Sequence, residues 1–109
     1  MLFRRPYQTL PMKKASLASF PPGSILIDIR DAEEFAGGHI TGSVSVPMET
    51  LPTWIREAES RSVPIYVCCQ SGKRSPAACR LLCQNGFACV TNLAGGLDRW
   101  TGPLEHDIG

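Results

Sequence analysis

Ile65-Tyr-Val-Cys-Cys-Gln-Ser-Gly-Lys-Arg-Ser-Pro-Ala-Ala-Cys79 is the stretch around which the chain is arranged. It begins as an apolar, β-branched run, residues 65–68, which predicts a short buried strand. It ends as a helix start, in which Ser75 is the expected N-cap and Pro76 takes the first helical position. A polar loop, residues 69–74, joins the two. A cysteine in such a loop, beside a helix N-terminus and two cations, is placed to be a thiolate and to hold an anion.

Length and charge restrict what the protein can be. At 109 residues the chain is expected to form one domain with its own core. The net charge of +1 gives no reason to expect nucleic-acid binding. The charges are nevertheless uneven, because no carboxylate occurs between Glu59 and Asp98, a segment that carries Arg61, Lys73, Arg74 and Arg80. This positive segment contains the loop and suits a small anionic substrate, with random scatter of the charges as the alternative.

Neither a membrane anchor nor an export signal is expected. No apolar run approaches the roughly 20 residues that span a bilayer, and Lys13 and Lys14 interrupt any apolar run behind the basic N-terminus. The five cysteines form no CxxC pair, so a disulfide scaffold is not expected and a reducing cytosol is the simpler setting. His39 and His106 lie far from the cysteines in sequence, which argues against a zinc site. We expect no metal and no other cofactor.

Strand patterns alternate with helix patterns along the chain. Strands are predicted at residues 25–29, 44–46, 65–68 and within 87–93. Helices are predicted at 12–20 with Leu17 and Phe20 inward, 32–36 with a capping box of Asp31 and Glu34, 51–59, 76–84, and around Leu97 and Trp100. Residues 1–11 are expected to be an irregular arm with at most a short edge strand, and residues 102–109 a loose tail. The alternation predicts an α/β protein with a central, mainly parallel sheet of about five short strands, flanked by helices on both faces.

The loop has the ingredients of a nucleophilic site at the carboxyl end of a parallel strand, where open α/β sheets bind their ligands. Successive backbone N–H groups of residues 70–75 can converge on one spot, and Gly72 permits the backbone angles that this requires. Cys69 would then be the nucleophile. Lys73 and Arg74 could hold the oxyanion of a substrate.

The number of residues between the cysteine and the arginine of the loop distinguishes sulfur transfer from phosphoryl transfer. Cys69 and Arg74 form a Cys-x4-Arg motif, one residue shorter than the Cys-x5-Arg loop of cysteine-dependent phosphatases, which must surround a phosphoryl group. A tighter loop leaves room at the sulfur for one further atom, so sulfur transfer through a cysteine persulfide is favoured. A buried cysteine in an ordinary strand-to-helix turn is the alternative reading of the loop alone.

Three segments carry a family resemblance. They are LIDIRDAEEFAGGHITGSVSVP at residues 26–47, VCCQSGKRS at residues 67–75 and GGLDRW at residues 95–100. Together they resemble the signatures of the single-domain rhodanese (thiosulfate sulfurtransferase-like) family, and the match runs from about Ser24 to Trp100. The resemblance implies a rhodanese-like fold. The three segments together are highly specific, whereas any one of them would be moderately so.

The resemblance implies a sulfurtransferase in which Cys69 forms the persulfide. The loop residues implied to bind the substrate are Gln70, Ser71, Gly72, Lys73, Arg74 and Ser75. It further implies a cytoplasmic protein that needs no metal and takes sulfur from thiosulfate or from persulfides delivered by other proteins. The acceptor is expected to be a protein thiol, a small thiol or cyanide, with no nucleic-acid or membrane partner. The alternatives are a non-catalytic binding or regulatory module, and a phosphatase or arsenate reductase on the same fold.

The other cysteines and polar residues of the signatures are expected to be structural. Cys68 should point away from Cys69 by strand alternation. Cys79 and Cys83 share a helix face and are interpreted as buried fillers rather than a redox pair, and Cys89 as packing inward rather than as a resolving thiol. We expect Asp28 and Arg30 to anchor the loops around the site, His39 to be a hydrogen-bonded structural residue, and Trp100 to belong to the core.

Overall fold

Five parallel strands form the centre of the fold. The computed structural model describes residues 6–107. Within them the strands are β1 (Gln8–Pro11), β2 (Ile25–Asp28), β3 (His39–Ile40), β4 (Val44–Ser45), β5 (Ile65–Cys68), β6 (Val90–Ala94) and β7 (Leu104–Glu105). One sheet has the strand order β1-β6-β5-β2-β4, and every pairing in it is parallel. β3 and β7 form a separate antiparallel pair.

Short helices connect the strands. The α-helices are α1 (Ala32–Ala36), α2 (Leu51–Glu57) and α3 (Ser75–Gln84). Single 3-10 turns occur at Met12–Lys14, Leu17–Ser19, Met48–Thr50 and Gly96–Arg99. Among the described residues, no helix combines the length and apolar character that crossing a membrane requires.

The central strand β5 is covered on both faces because its side chains alternate between two hydrophobic layers. Ile65 and Val67 face the layer that contains the buried side chains of α2 and α3. Cys68 faces the other layer, together with Met12 and Trp100. The predicted architecture, a mainly parallel sheet flanked by helices on both faces, is confirmed, and so is the prediction that Trp100 belongs to the core.

The first helix follows its predicted signals closely. The backbone N–H of Glu34 donates to Asp31 Oδ1 at 2.8 Å, and the N–H of Asp31 donates to Glu34 Oε1 at 3.3 Å. These bonds form the predicted capping box and define α1 as residues 32–36. The N–H of Glu34 is also the main reason that the pKa of Asp31 lies below its ordinary value.

The start of α3 differs from the prediction by one position. The helix begins at Ser75, and the capping residue is Arg74 rather than Ser75. The hydroxyl of Ser75 does not cap the helix because it donates to Asn92 Oδ1 at 2.6 Å inside the protein. The predicted helix end at Gln84 is confirmed, and Gly86 follows it with a φ of +89°.

The prediction of one helix over residues 12–20 is wrong. Two 3-10 turns occupy this segment, because Ala15 and Ser16 between them have extended backbones. Leu17, predicted to point inward, is 39% exposed, whereas Met12 has no exposed surface. The segment is therefore held by Met12, which packs into the hydrophobic layer that contains Cys68 and Trp100. It has no helix with an apolar face.

Both predicted irregular ends contain short strands within the described residues. In the arm, β1 pairs with β6 at the sheet edge, as the sequence allowed. In the predicted loose tail, β7 pairs with β3, and His106 Nδ1 lies 2.8 Å from the carbonyl oxygen of Gly37. Residues 1–5 and 108–109 lie outside the described residues. The predicted helix over residues 51–59 ends earlier, at Glu57.

Replacing Met12 by alanine tests the corrected packing of residues 12–20. We expect Met12→Ala to lower the free energy of unfolding by about 2–5 kcal/mol, because it deletes a fully buried side chain. Leu17→Ala is the matched control and should cost much less, since Leu17 already reaches solvent. Urea unfolding at an unchanged m-value measures both. Equal losses, or a larger loss for Leu17→Ala, would show that Leu17 is the core residue.

Candidate active site

A cysteine sulfur lies beneath the loop that joins β5 to α3. Cys69 follows the last residue of β5 and has no exposed surface. The backbone N–H of Gly72 donates to Cys69 Sγ at 3.1 Å. Gly72 has a φ of +91°, which L-residues with side chains rarely adopt, so the turn that presents this N–H depends on glycine. The predicted pairing of Cys69 with the backbone of its loop is thus present.

The other donors of the loop are free to meet a ligand. Within residues 6–107, no acceptor takes up the backbone N–H groups of Ser71, Lys73 and Arg74. The side chains of these three residues are exposed. Arg74 Nη2 lies 3.6 Å from Glu34 Oε1 on α1, so this guanidinium leans toward a neighbouring carboxylate. The loop therefore offers unpaired backbone donors close to the start of α3, a combination that favours anions.

The floor of the loop is held by a second backbone segment. The N–H of Leu97 donates to the carbonyl of Cys69 at 2.9 Å, and the N–H of Asp98 donates to the carbonyl of Gln70 at 3.0 Å. Both donors belong to the 3-10 turn Gly96–Arg99, in which a Cβ on Gly96 would lie 2.5 Å from the Gln70 carbonyl oxygen. Only glycine permits this approach, because its missing side chain leaves room for the two carbonyls.

A buried ion pair supports the loop from the carboxyl end of β2. Arg30 Nε donates to Asp28 Oδ1 at 3.0 Å, and Arg30 Nη2 donates to Asp28 Oδ2 at 2.8 Å. Both side chains are almost fully buried. Burial alone would lower the pKa of Arg30, but the hydrogen bonds and charge of Asp28 outweigh it and raise the pKa. Arg30 Nη1 donates to Gln70 Oε1 at 3.0 Å, which links the pair to the loop.

Two polar partners of the loop were missed in the sequence. Asn92, on β6, accepts the hydroxyl of Ser75 and is itself buried. Its signal was an amide side chain between Thr91 and Leu93 in a predicted strand, since a buried amide normally requires a hydrogen-bond partner. Asp98 Oδ1 accepts a hydrogen bond from Gln70 Nε2 at 2.7 Å. No local pattern marks this contact, because it joins positions 28 residues apart.

The other four cysteines are in different environments. Burial raises the pKa of Cys68 well above its ordinary value, with the charge of Asp28 as a second cause. Burial also raises the pKa of Cys79 to about 12, and that of Cys83 to a smaller extent. Cys68 and Cys79 are core residues, as predicted, and Cys83 is partly buried. The inward prediction for Cys89 is wrong: it is exposed, because it precedes β6 instead of alternating within it.

His39 is a buried residue whose contacts are with α1 and the C-terminal segment. Its ring stacks on Phe35 with centroids 3.8 Å apart, and its Nδ1 lies 2.8 Å from the Phe35 carbonyl oxygen. Its Nε2 faces the carboxylates of Glu105 and Asp107 at 3.7 and 4.0 Å. Within residues 6–107, no group of three His, Cys, Asp or Glu side chains is arranged to hold a metal ion.

The structure is that of an α/β protein in which a buried cysteine lies in the loop between a parallel strand and the following helix. The sequence matches the family described as Rhodanese-like domain over residues 12–103. The chain therefore belongs to the rhodanese-like domain family, and the resemblance of its three motifs is confirmed.

The chain is also similar to the following proteins and solved structure. The thiosulfate sulfurtransferase GlpE of Stutzerimonas stutzeri (strain A1501) is 39% identical over 86 residues, which cover 79% of this chain and 78% of that protein. The uncharacterized protein YqhL of Bacillus subtilis (strain 168) is 37% identical over 103 residues, covering 91% of this chain and 80% of that protein. The crystal structure of a rhodanese-like domain protein from Staphylococcus aureus superposes with a TM-score of 0.78 at 28% identity, covering 93% of this chain and 99% of that chain.

Substituting Gly96 tests the docking of the loop on the 3-10 turn. We expect Gly96→Ala to destabilise the protein, because the new Cβ would collide with the Cys69 and Gln70 carbonyls. Gly42→Ala is the matched control, since Gly42 also has a positive φ, of +83°, but no atom within 4 Å of the position that a Cβ would take. The collision should add about 1–3 kcal/mol to the backbone strain that both variants share. Equal losses in urea unfolding would contradict the close approach.

The raised pKa of Cys79 predicts a loss of stability in alkali. The unfolded thiol ionises near its ordinary value of 9.0, whereas the folded thiol keeps its proton to about pH 12. Stability is therefore undiminished below pH 9 and falls as the pH rises toward 12, by up to about 1.4 kcal/mol per pH unit. In Cys79→Ala this contribution disappears, so the unfolding free energy should fall less steeply above pH 9. An unchanged slope would contradict the shift.

Proposed function

We propose that this protein is a sulfurtransferase in which the Cys69 thiolate accepts a sulfane sulfur and passes it on as a persulfide. The donor is thiosulfate or another persulfide, and the acceptor is a thiol or cyanide. One observation carries the proposal: the Gly72 N–H donates to Cys69 Sγ at 3.1 Å inside a loop with further unpaired N–H groups. The named sulfurtransferase relative that shares 39% identity supports the same reaction class.

The first half of the reaction transfers one sulfur atom to the enzyme. The thiolate of Cys69 attacks the outer sulfur of thiosulfate and forms a new S–S bond. The original S–S bond of thiosulfate breaks, and its electron pair leaves with sulfite. The N–H of Gly72 stabilises the attacking thiolate, because a hydrogen bond to an ionised sulfur is charge-assisted. No external oxidant or reductant is needed for this step.

The second half returns the enzyme to its starting state. A thiolate acceptor or cyanide attacks the outer sulfur of the persulfide, and the electron pair of the broken bond returns to Cys69 Sγ. The outer sulfur extends the buried side chain by about 2 Å, the length of an S–S bond. The acceptor therefore attacks this outer sulfur and not Sγ, which belongs to a fully buried side chain.

The loop residues divide these tasks in our proposal. The N–H groups of Ser71, Lys73 and Arg74 receive the charge of the donor, and the exposed cations of Lys73 and Arg74 attract it. Ser75 contributes through its backbone only, since its hydroxyl is engaged by Asn92. Gly72 supplies the bond to Sγ. The spacing of Cys69 and Arg74, one residue shorter than a phosphatase loop, suits a sulfur atom better than a phosphoryl group.

A single domain of this kind suffices for both half-reactions, and we place it in the cytoplasm. The reaction needs Cys69 in its reduced form, which a reducing compartment maintains. The physiological acceptor would then be a protein thiol or a small thiol, with cyanide as a convenient acceptor in the assay.

Mass spectrometry of the protein after incubation with thiosulfate tests the proposal. We expect one added sulfur atom on Cys69, and thiocyanate on addition of cyanide. Cys69→Ser should abolish both, because a hydroxyl neither ionises at neutral pH nor holds sulfane sulfur. Cys89→Ser is the matched control and should retain wild-type turnover, since Cys89 is exposed but lies outside the loop.

Two outcomes would overturn the proposal in favour of another function. Absence of the adduct and of thiocyanate would favour a non-catalytic module. Hydrolysis of a phosphate ester or reduction of arsenate that disappears in Cys69→Ser would favour the phosphatase or arsenate reductase alternative.

A further inference from the structure

The side chain of Gln70 lies between a cation and a carboxylate. Its Oε1 accepts a hydrogen bond from Arg30 Nη1 at 3.0 Å, and its Nε2 donates to Asp98 Oδ1 at 2.7 Å. The orientation of the amide is fixed by its neighbours, because a guanidinium only donates and a carboxylate only accepts. Reversing the amide would break both hydrogen bonds.

Both partners of Gln70 make further hydrogen bonds, Arg30 through its buried side chain and Asp98, whose side chain is exposed, through its backbone. The Arg30 guanidinium is held by Asp28 and also donates to the carbonyl of Gly38 at 2.7 Å. The backbone N–H of Asp98 donates to the carbonyl of Gln70 itself. Gln70 is therefore held by three hydrogen bonds, two through its side chain and one through its backbone.

The two side-chain hydrogen bonds of Gln70 form a bridge from Arg30 through Gln70 to Asp98. This bridge joins two segments that are distant in the chain to the residue next to Cys69. Arg30 follows β2, and Asp98 lies in the 3-10 turn that also binds the carbonyl of Cys69. The side chains of Ser71, Lys73 and Arg74, by contrast, are exposed. The beginning of the loop, at Gln70, is therefore hydrogen-bonded to other segments, whereas the side chains that follow it are exposed.

We propose that Gln70 is a positioning residue: it holds Cys69 in line with the Gly72 N–H and makes no contact with the sulfur donor. This inference deepens the proposed function, because it assigns the donor contacts to residues 71–74 and the alignment of the thiolate to the Arg30–Gln70–Asp98 bridge. It concerns the geometry of the loop and not the identity of the donor.

A reciprocal exchange of Gln70 and Asp98 tests the bridge. Gln70→Glu places a carboxylate against Asp98 and replaces the 2.7 Å hydrogen bond with repulsion. The double variant Q70E/D98N restores a donor opposite an acceptor, and it keeps the net charge of the wild type. Asp98→Asn alone retains an acceptor oxygen for Gln70. We expect kcat for thiosulfate to fall about 10-fold in Gln70→Glu, the cost of one charge-assisted hydrogen bond, and to recover to within about 3-fold in the double variant.

A neutral variant separates positioning from charge. Gln70→Met has a similar length but cannot bridge Arg30 and Asp98, and it adds no charge. We expect it to lower kcat about 10-fold with little change in KM, because the bridge aligns the thiolate and does not hold the donor. A charge effect alone would instead leave Gln70→Met at wild-type turnover and would change KM in Gln70→Glu and Asp98→Asn in opposite directions.

Hydrogen exchange at the loop gives a readout that needs no turnover. We expect the backbone N–H groups of Leu97, Asp98 and Gly72 to exchange about 10-fold faster in Gln70→Met and Gln70→Glu, and at the wild-type rate in Q70E/D98N. If the wild type transfers no sulfur but the exchange rates follow this order, the proposed function fails and the positioning role stands. Wild-type exchange and kcat in Gln70→Met, or no recovery in the double variant, would overturn the positioning role.

Discussion

The site depends on one constraint: two carbonyl groups of the cysteine loop must be bound by the backbone of the Gly96–Arg99 turn. The N–H groups of Leu97 and Asp98 donate to these carbonyls at 2.9 and 3.0 Å. The approach is possible because Gly96 has no side chain where the carbonyls pass. In the same loop the Gly72 N–H donates to Cys69 Sγ, and the N–H groups of Ser71, Lys73 and Arg74 have no acceptor among residues 6–107, which leaves them for an anion.

The buried Asp28–Arg30 pair extends this constraint to the other side of the loop. Removing two charges from water is unfavourable, so such a pair contributes little to stability by itself. The role of the pair is instead to orient the remaining donors of Arg30. The guanidinium has further donors after binding Asp28, and they reach the Gly38 carbonyl and the Gln70 amide. The buried pair thereby holds the side chain of Gln70, the residue next to Cys69.

Local patterns predicted the parts of the fold that local interactions form. Helix α1 has its predicted bounds because its capping box involves residues three positions apart. Strand β5 has its predicted bounds because its apolar run begins after Pro64 and is covered on both faces. The segment 12–20 was predicted wrongly because its periodicity suited a helix, while the burial of Met12 beneath the sheet favoured two separate turns. Cys89 was misplaced because the exact start of β6 decides which residues alternate into the core.

The loop and its candidate nucleophile, Cys69, could be proposed from the sequence because the residues concerned are consecutive. The order of cysteine, glycine, cations and helix start is itself the pattern, and strand alternation separated Cys69 from Cys68. Asp28 and Arg30 were predicted to anchor the loops around the site, but the side chains that bind Gln70 and Ser75 were settled by the tertiary structure alone. Gln70 meets Arg30 and Asp98, and Ser75 meets Asn92, because three parallel strands end at the same edge of the sheet. Contacts between residues so distant along the chain leave no periodicity, since they arise only when the strands have paired.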